Sequence, residues 1–283
     1  MKNINTLVKD IYSVIEGKGG WDETITEYLS TNISAVAEER FSKPQKPRGY
    51  LSLSSVGSPC KRKTWYRINK TKEAAPLKAQ MLGLFFYGDL LETLILSLAK
   101  AAGHSVEGEQ DRLSVSGIKG HRDAVIDGVT IDVKSASKSG MRKFINHSLR
   151  DEDPYGYISQ LSSYVYAAKD DPLVKDKKRG GFLVVQKDTF NLCLDMYDFS
   201  NELKNKEKEI AEVKKVVRGD IPKEKLEVIP QSPTSKNTKL SFLCATCEYR
   251  TPCWPNARVF KYSHGKEYLI DVVKAPKVEE LFD

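Results

Sequence analysis

No stretch of this chain stays apolar for the roughly 20 residues that a membrane span requires. Its opening residues, MKNINTLVKD, lack the apolar core of a secretion signal. Internal repeats and long low-complexity tracts are also missing, which leaves one large globular domain or two smaller ones within 283 residues. Cysteine is scarce, with five in all. That count, in the cytoplasmic location these absences lead one to expect, argues against a disulfide framework. What the chain does contain is 40% apolar and 29% charged residues, which suits a globular protein with a sizeable core. Lysine and arginine outnumber the acids 45 to 38, and the net charge of +7 mildly favours a polyanionic partner.

The stretch around which the rest is organised is Gly120 to Ser135, GHRDAVIDGVTIDVKS. Asp127-Gly128 is a strong signal for a type I′ hairpin turn, which needs positive φ at both positions. Pairing Ile126 with Val129 sets 124 against 131 and brings Asp123 across from Asp132. Alternation then puts Lys134 on the face of Asp132, and sends Ala124, Ile126, Val129, Ile131 and Val133 to the opposite, core-facing side. Two like charges in register destabilise a hairpin unless something offsets them. A divalent cation would do so, since hard cations take carboxylate oxygens. Lys134 could then orient the attacking water and steady charge developing at a phosphoryl centre. The competing reading is a solvated hairpin face with a fortuitous Asp-Asp-Lys cluster.

Taken in order, residues 1–42 read as two helices separated by Gly17 to Gly20, with Pro44 and Pro47 marking a linker. In LSLSSVGSPCKRKTWYRIN, Gly57, Ser58 and Pro59 lead to Cys60 at a helix start. Lys61, Arg62 and Lys63, interleaved with Trp65 and Tyr66, suit a nucleic-acid backbone with exposed bases; Trp65 and Tyr66 could equally be core. Residues 77–102 predict a helix that buries Leu82, Phe85, Phe86, Leu90, Leu94, Leu98 and Ala101, ended by Gly103. Glu92 falls inside it, costly unless paired or facing a site. A helix follows Asp153-Pro154, and Gln160 and Tyr164 share one of its faces. They could reach a phosphate or a metal-bound water, or be ordinary surface residues. Gly181 to Lys187 and Asn191 to Tyr197 read as strands, and Asn201 to Arg218 as a helix with a solvated charged face. Finally, Cys244, Cys247 and Cys253 form C-x2-C-x5-C, a metal or iron–sulfur pattern that Cys60 could complete. Zinc and an iron–sulfur cluster both accept four thiolates, so ligand count leaves the choice open. Cys193 lies within an apolar strand and reads as packing.

These pieces resemble the RecB-type nucleases of the PD-(D/E)XK superfamily, particularly the branch that carries an iron–sulfur cluster. That branch includes CRISPR-associated adaptation exonucleases, the AddB nuclease domain and small phage exonucleases. The family order is G-x-x-x-E or -H, G-x-x-D, (D/E)-x-K and Q-x-x-x-Y. Here those motifs stand at Gly88 to Glu92, Gly120 to Asp123, Asp132 to Lys134, and Gln160 to Tyr164. The resemblance implies a hydrolase: a DNA exonuclease serving recombination, repair, replication or degradation, with protein partners in recombination or replication. It implies that Glu92, Asp123, Asp132 and the Val133 carbonyl hold magnesium or manganese, and that Lys134 assists the hydrolytic water. Gln160 and Tyr164 would contact DNA near the scissile phosphate. Cys60, Cys244, Cys247 and Cys253 would hold a [4Fe–4S] cluster. Lys138, Arg142 and Lys143, after the D-x-K strand, join Lys61, Arg62 and Lys63 as candidate DNA contacts.

The expected architecture is α/β, a PD-(D/E)XK core with a mixed central sheet flanked by helices and a helical cluster-bearing lobe. Expected boundaries are a helical segment over 1–50, a nuclease domain over 51–256 and an extension over 257–283. Two other classes compete: a catalytically silent DNA-binding scaffold subunit, and a zinc-stapled binding protein.

Overall fold

The computed structural model describes residues 2–45 and 47–282; Met1, Lys46 and Asp283, which belong to the expected terminal segments, lie outside that description. The chain divides into two compact units that alternate along the sequence. The first comprises Met1–Lys46, Leu51–Pro59 and Lys78–Val213, and the second Pro47–Tyr50, Cys60–Leu77 and Lys214–Asp283. Its division points therefore differ from the expected boundaries at 50 and 256.

The helices are α1 (Leu7–Ile15), α2 (Glu23–Phe41), α3 (Leu53–Val56), α4 (Lys61–Asn69), α5 (Ala79–Ala101), α6 (Lys138–Ile145), α7 (Tyr157–Ala167), α8 (Ser200–Arg218), α9 (Phe242–Ala245) and α10 (Arg250–Cys253). The strands are β1 (Val106–Glu107), β2 (Arg112–Val115), β3 (Ile118–His121), β4 (Ala124–Ile126), β5 (Val129–Ala136), β6 (Arg179–Gln186), β7 (Leu192–Asp198), β8 (Val228–Pro230), β9 (Thr238–Leu240), β10 (Arg258–Tyr262), β11 (Gly265–Leu269) and β12 (Glu280–Leu281).

In the first unit the sheet runs β1-β4-β5-β6-β7, and β5–β6 is its one parallel pair among the described residues. Parallel neighbours need a long crossover, and α6 and α7 supply it. On one face α1 and the second half of α5 bury Leu7, Ile11, Leu91 and Ile95 against Ile126, Ile131 and Val133. On the other, α6 and α7 bury Phe144, Leu161 and Val165 against Phe182 and Val184. The architecture is thus mixed α/β, a mixed central sheet flanked by helices.

The hairpin forms in the expected register: Ile126 opposite Val129, Val125 opposite Thr130 and Ala124 opposite Ile131. Asp127 (φ 51°) and Gly128 (φ 82°) both adopt the left-handed conformation that a type I′ turn requires. The ladder stops at Ala124, so Asp123 stands one position beyond it. The charged face is not solvated, because Val125, Thr130 and Asp132 are buried as well. Ala168 and Val174 cover Val125, and α7 packs on β5.

Helix α5 ends before Gly103 (φ 80°) as expected, but its buried side differs. Of the expected set only Leu98 and Ala101 are buried; Phe85 is exposed and the others are half-buried. The core residues are Leu91, Ile95, Leu96, Leu98 and Ala99. In the second half of α5 apolar residues stand around most of the circumference, so the 3.6-residue period could not fix its phase. The same helix has 23 residues and an 18-residue stretch of mean hydropathy 1.6, the length and composition of a membrane span. Asp89 and Glu92 interrupt that run, which is how it escapes a search for unbroken apolar sequence. Asp89 is paired with Arg40, with a 3.0 Å contact from Nη2. Helix α8 also departs from expectation: Lys206 is buried, and its ammonium meets Glu209 at 2.6 Å and the Ser159 carbonyl at 3.3 Å.

The second unit is built on an antiparallel sheet, β12-β10-β11-β9-β8, which buries Leu240, Cys244, Val259 and Tyr268. Residues 257–283 supply three of its five strands. Helix α4 belongs to this unit. Tyr66 is buried and stacks on Tyr249 with ring centroids 5.5 Å apart, and Trp65 donates to the Gly219 carbonyl at 2.8 Å. Trp65 and Tyr66 therefore hold structure together.

Candidate active site and cysteine centre

All four expected nuclease motifs fall in the first unit. Helix α5 carries Glu92, the link between β3 and β4 carries Asp123, β5 carries Asp132 and Lys134, and α7 carries Gln160 and Tyr164. Helix α7 is positioned by Asp153, whose carboxylate accepts from the N–H groups of Tyr155, Gly156 and Ile158. That anchoring satisfies donors that a helix start leaves open.

The carboxylates form one electrostatic group. Asp132 is about 1% exposed, and its Oδ1 accepts from Gln160 Nε2 at 3.3 Å. Its Oδ2 meets the Lys134 ammonium and has no hydrogen-bond partner of good geometry. Asp123 Oδ2 accepts from the Val133 N–H at 2.7 Å. A residue's N–H and C=O leave a strand on the same side, so the Val133 carbonyl also faces the Asp123 side. Glu92 Oε1 accepts from Gln110 Nε2 at 2.7 Å.

Burial, and then the Asp132 charge, push Glu92 up to about 7, against the pull of Lys134 and Gln110. Burial, then Asp132 and Glu92, raise Asp123 well above the carboxylate range. Burial opposes the charge on Lys134, but Asp132 and Asp123 outweigh it and raise the ammonium's pKa above its ordinary value. Burial and the same two aspartates push the Tyr164 phenol up to about 12. The site thus holds an ammonium, a neutral phenol and acids that resist being charged together.

Gly120 has a packing reason. A Cβ there would lie 2.9 Å from both Leu53 Cβ and Tyr164 Cε1. Gly88 has none of this kind, since its added Cβ would meet only Ser135 Oγ, at 3.7 Å.

Three residues next to the site were not singled out from sequence. Gln110 holds Glu92 from a left-handed backbone (φ 53°), in a loop without periodic signal. Tyr157 sets its ring 5.3 Å from the Lys134 ammonium; in sequence it reads only as an apolar helix position. Arg122, fully buried beside Asp123, meets Asp111 at 2.6 Å and the Gly108 carbonyl at 3.1 Å. Its neighbouring position in GHRD was the available signal.

The basic candidates separate into two groups. Arg62 donates to the Pro222 carbonyl at 2.5 Å and to Cys253 Sγ at 3.3 Å, and Lys63 pairs with Glu248 at 2.9 Å. Both are engaged within the second unit, while Lys61 is exposed. On α6, Lys138 and Arg142 are exposed, and Lys143 pairs with Glu152 at 2.7 Å.

Cys60, Cys244, Cys247 and Cys253 all lie in the second unit. Burial raises the Cys244 thiol, and the neighbouring Cys60 and Cys253 add to that shift. Burial pushes Cys247 up to about 11, with Glu248 and Cys60 contributing. Each sulfur has a donor close by. Cys60 accepts from Lys63 N at 3.4 Å, Cys247 from Tyr249 N at 3.4 Å and Cys253 from Arg62 Nε at 3.3 Å, and Trp254 bonds Cys244. Cys193 stands apart, half-buried on β7. Among the described residues, no three His, Cys, Asp or Glu side chains converge closely enough to hold a single ion.

No family model and no curated protein matches this chain. Among solved structures, the crystal structure of SSO0001 aligns with 81% of this chain and 96% of its own, at 14% identity and a TM-score of 0.44.

Proposed function

We propose that the chain is a metal-dependent deoxyribonuclease of the PD-(D/E)XK type that degrades DNA from its ends. The carrying observation is that the Asp132 charge raises the proton affinity of both Glu92 and Asp123 in a largely buried patch beside Lys134. Acids under such mutual repulsion are stabilised by a cation, and a hard divalent ion suits carboxylate oxygens. The donor set for magnesium or manganese is Glu92, Asp123, Asp132 and the Val133 carbonyl, and the bound ion would supply Lewis-acid stabilisation of phosphoryl charge.

The remaining roles follow from the side chains themselves. Lys134 is held protonated by two aspartates, so it acts as a donor. It orients the hydrolytic water and steadies negative charge rather than accepting a proton. Tyr164 stays neutral and is likewise a donor. Gln160 fixes the Asp132 carboxylate through its Oδ1, and Gln110 does the same for Glu92.

In the second unit, Cys60, Cys244, Cys247 and Cys253 form the donor set for a [4Fe–4S] cluster with a structural role. Thiols whose pKa is raised by burial are held as thiolates by metal, and N–H donors at the sulfurs tune such centres. A brown protein with iron supports this assignment, and a colourless one with zinc overturns it.

The test of activity uses end-labelled single- and double-stranded DNA with manganese or magnesium. The expected result is progressive shortening that Asp132→Ala abolishes. Full activity in Asp132→Ala would overturn the reading.

A further inference from the structure

We propose that Tyr155 is a stacking platform for the nucleobase next to the scissile phosphate, so that single-stranded polynucleotide ends are the preferred substrate. This rests on the nuclease reading above. The argument begins with exposure: Tyr155 is about half exposed (49%), whereas Phe144 and Phe182 in the same aromatic row are buried. The row is continuous. Phe182 and Phe144 lie 5.5 Å apart, Phe144 and Tyr157 6.3 Å, and Tyr157 and Tyr155 5.3 Å. Tyr157 in turn sets its ring 5.3 Å from the Lys134 ammonium. The exposed ring is therefore two contacts away from the group assigned to the phosphoryl centre, a span that one nucleotide covers.

The backbone that carries the ring is also held in place. Asp153 accepts from Tyr155 N at 3.3 Å, Gly156 N at 2.8 Å and Ile158 N at 2.8 Å, which fixes the backbone on either side. A platform fixed before binding loses little conformational freedom when a base lands on it. Helix α6 packs Phe144 against Tyr157, and its exposed Lys138 and Arg142 belong to the same unit. An open aromatic face suits single-stranded bases, which stack on it whatever their identity. Bases of an intact duplex are stacked on one another and cannot use such a ring.

The experiment compares full-length wild type with Tyr155→Ala and Tyr155→Phe. The probes are a short fluorescein-labelled oligothymidylate, its duplex with oligoadenylate, and the same strand made abasic. Anisotropy in EDTA reads binding without cleavage, and steady-state kinetics with manganese follow. Tyr155→Ala is expected to weaken single-strand binding about tenfold and to leave duplex binding unchanged. Its KM should rise while kcat is kept, Tyr155→Phe should restore both, and the abasic strand should bind wild type about as weakly as the normal strand binds Tyr155→Ala. An unchanged single-strand Kd in Tyr155→Ala, or an equal loss for strand and duplex, overturns the platform while cleavage by wild type leaves the nuclease reading standing. If wild type neither binds nor cuts any probe, the nuclease reading falls and takes the platform with it.

Discussion

Asp123 is a half-buried acid whose charge is opposed by Asp132 and Glu92, and its raised pKa has a definite sign for stability. A carboxyl with a folded pKa above its unfolded value binds more protons in the native state. Stability is then greatest below the unfolded pKa and falls as pH rises through the folded one. For Glu92 that window runs from the ordinary 4.5 to about 7. Metal-free protein is therefore expected to lose melting temperature across this window, and manganese to restore it at the alkaline end. Asp123→Asn keeps the oxygen that accepts from Val133 N and removes one charge. It should melt at least as high as wild type in EDTA above pH 7, with a flatter pH dependence, and should cut no DNA. A lower melting temperature for Asp123→Asn under those conditions would count against the repulsion that motivates the metal site. That this hairpin carries an unusual charge cluster was legible in GHRDAVIDGVTIDVK, because strand alternation is local. That the cluster is buried was not, since the covering residues Ala168 and Val174 lie beyond α7.

Helices and strands here differ in how much their sequences disclose. The hairpin's register follows from two turn residues and a period of two. The phase of α5 does not follow from its own sequence, because apolar residues stand around most of its circumference and the sheet decides which of them face inward. The motif glycines Gly88 of α5 and Gly120 of β3 can be separated by the space around them. Gly88→Ala adds a methyl where the nearest atom is 3.7 Å away, in a helix interior where alanine is favoured over glycine by about 1 kcal/mol. It should raise the melting temperature by a few degrees and keep its chromophore and fold. Gly120→Ala forces a methyl against Leu53 and the Tyr164 ring at 2.9 Å. Such overpacking typically costs about 1–3 kcal/mol, so its melting temperature should fall and Tyr164 should be displaced. Equal behaviour of the two variants would show that the packing contrast has no consequence.

At the scale of the whole chain, the four cysteines gather within one unit although they span most of the sequence. A centre built from them would close a long loop of the unfolded chain, and closure of that kind removes several kcal/mol of its entropy, on the order of about 4–5 by the disulfide analogy. Cys247→Ser is expected to lose the brown colour and become protease-sensitive in residues 214–282. Cys193→Ser, in the first unit, should keep the colour and melt close to wild type. A colourless Cys247→Ser that melts like wild type and yet cuts no DNA would move the cluster from a structural to a direct role. The basic run beside Cys60 shows why long-range partners escape a linear reading. Arg62 and Lys63 look like phosphate contacts until Cys253, Pro222 and Glu248, some 160 to 190 positions away, are brought to them.

The alternation of the two units has a consequence in time as well as in space. A ribosome has synthesised everything the first unit needs once it passes Val213. The second unit must wait: the Cys60–Leu77 segment emerges early, while Cys244 comes 184 positions after Cys60 (244 − 60). At roughly 5–20 residues per second, that interval is on the order of 10 to 40 seconds. Throughout it, the Cys60 thiol lacks the other three cysteines and the ring of Tyr66 lacks Tyr249 and Pro252, none of which is yet made. A nascent chain of this protein therefore carries helix α4 without its distant packing partners for most of its synthesis. Chaperone occupancy of nascent chains should accordingly begin after residue 77 and end only with the final strands.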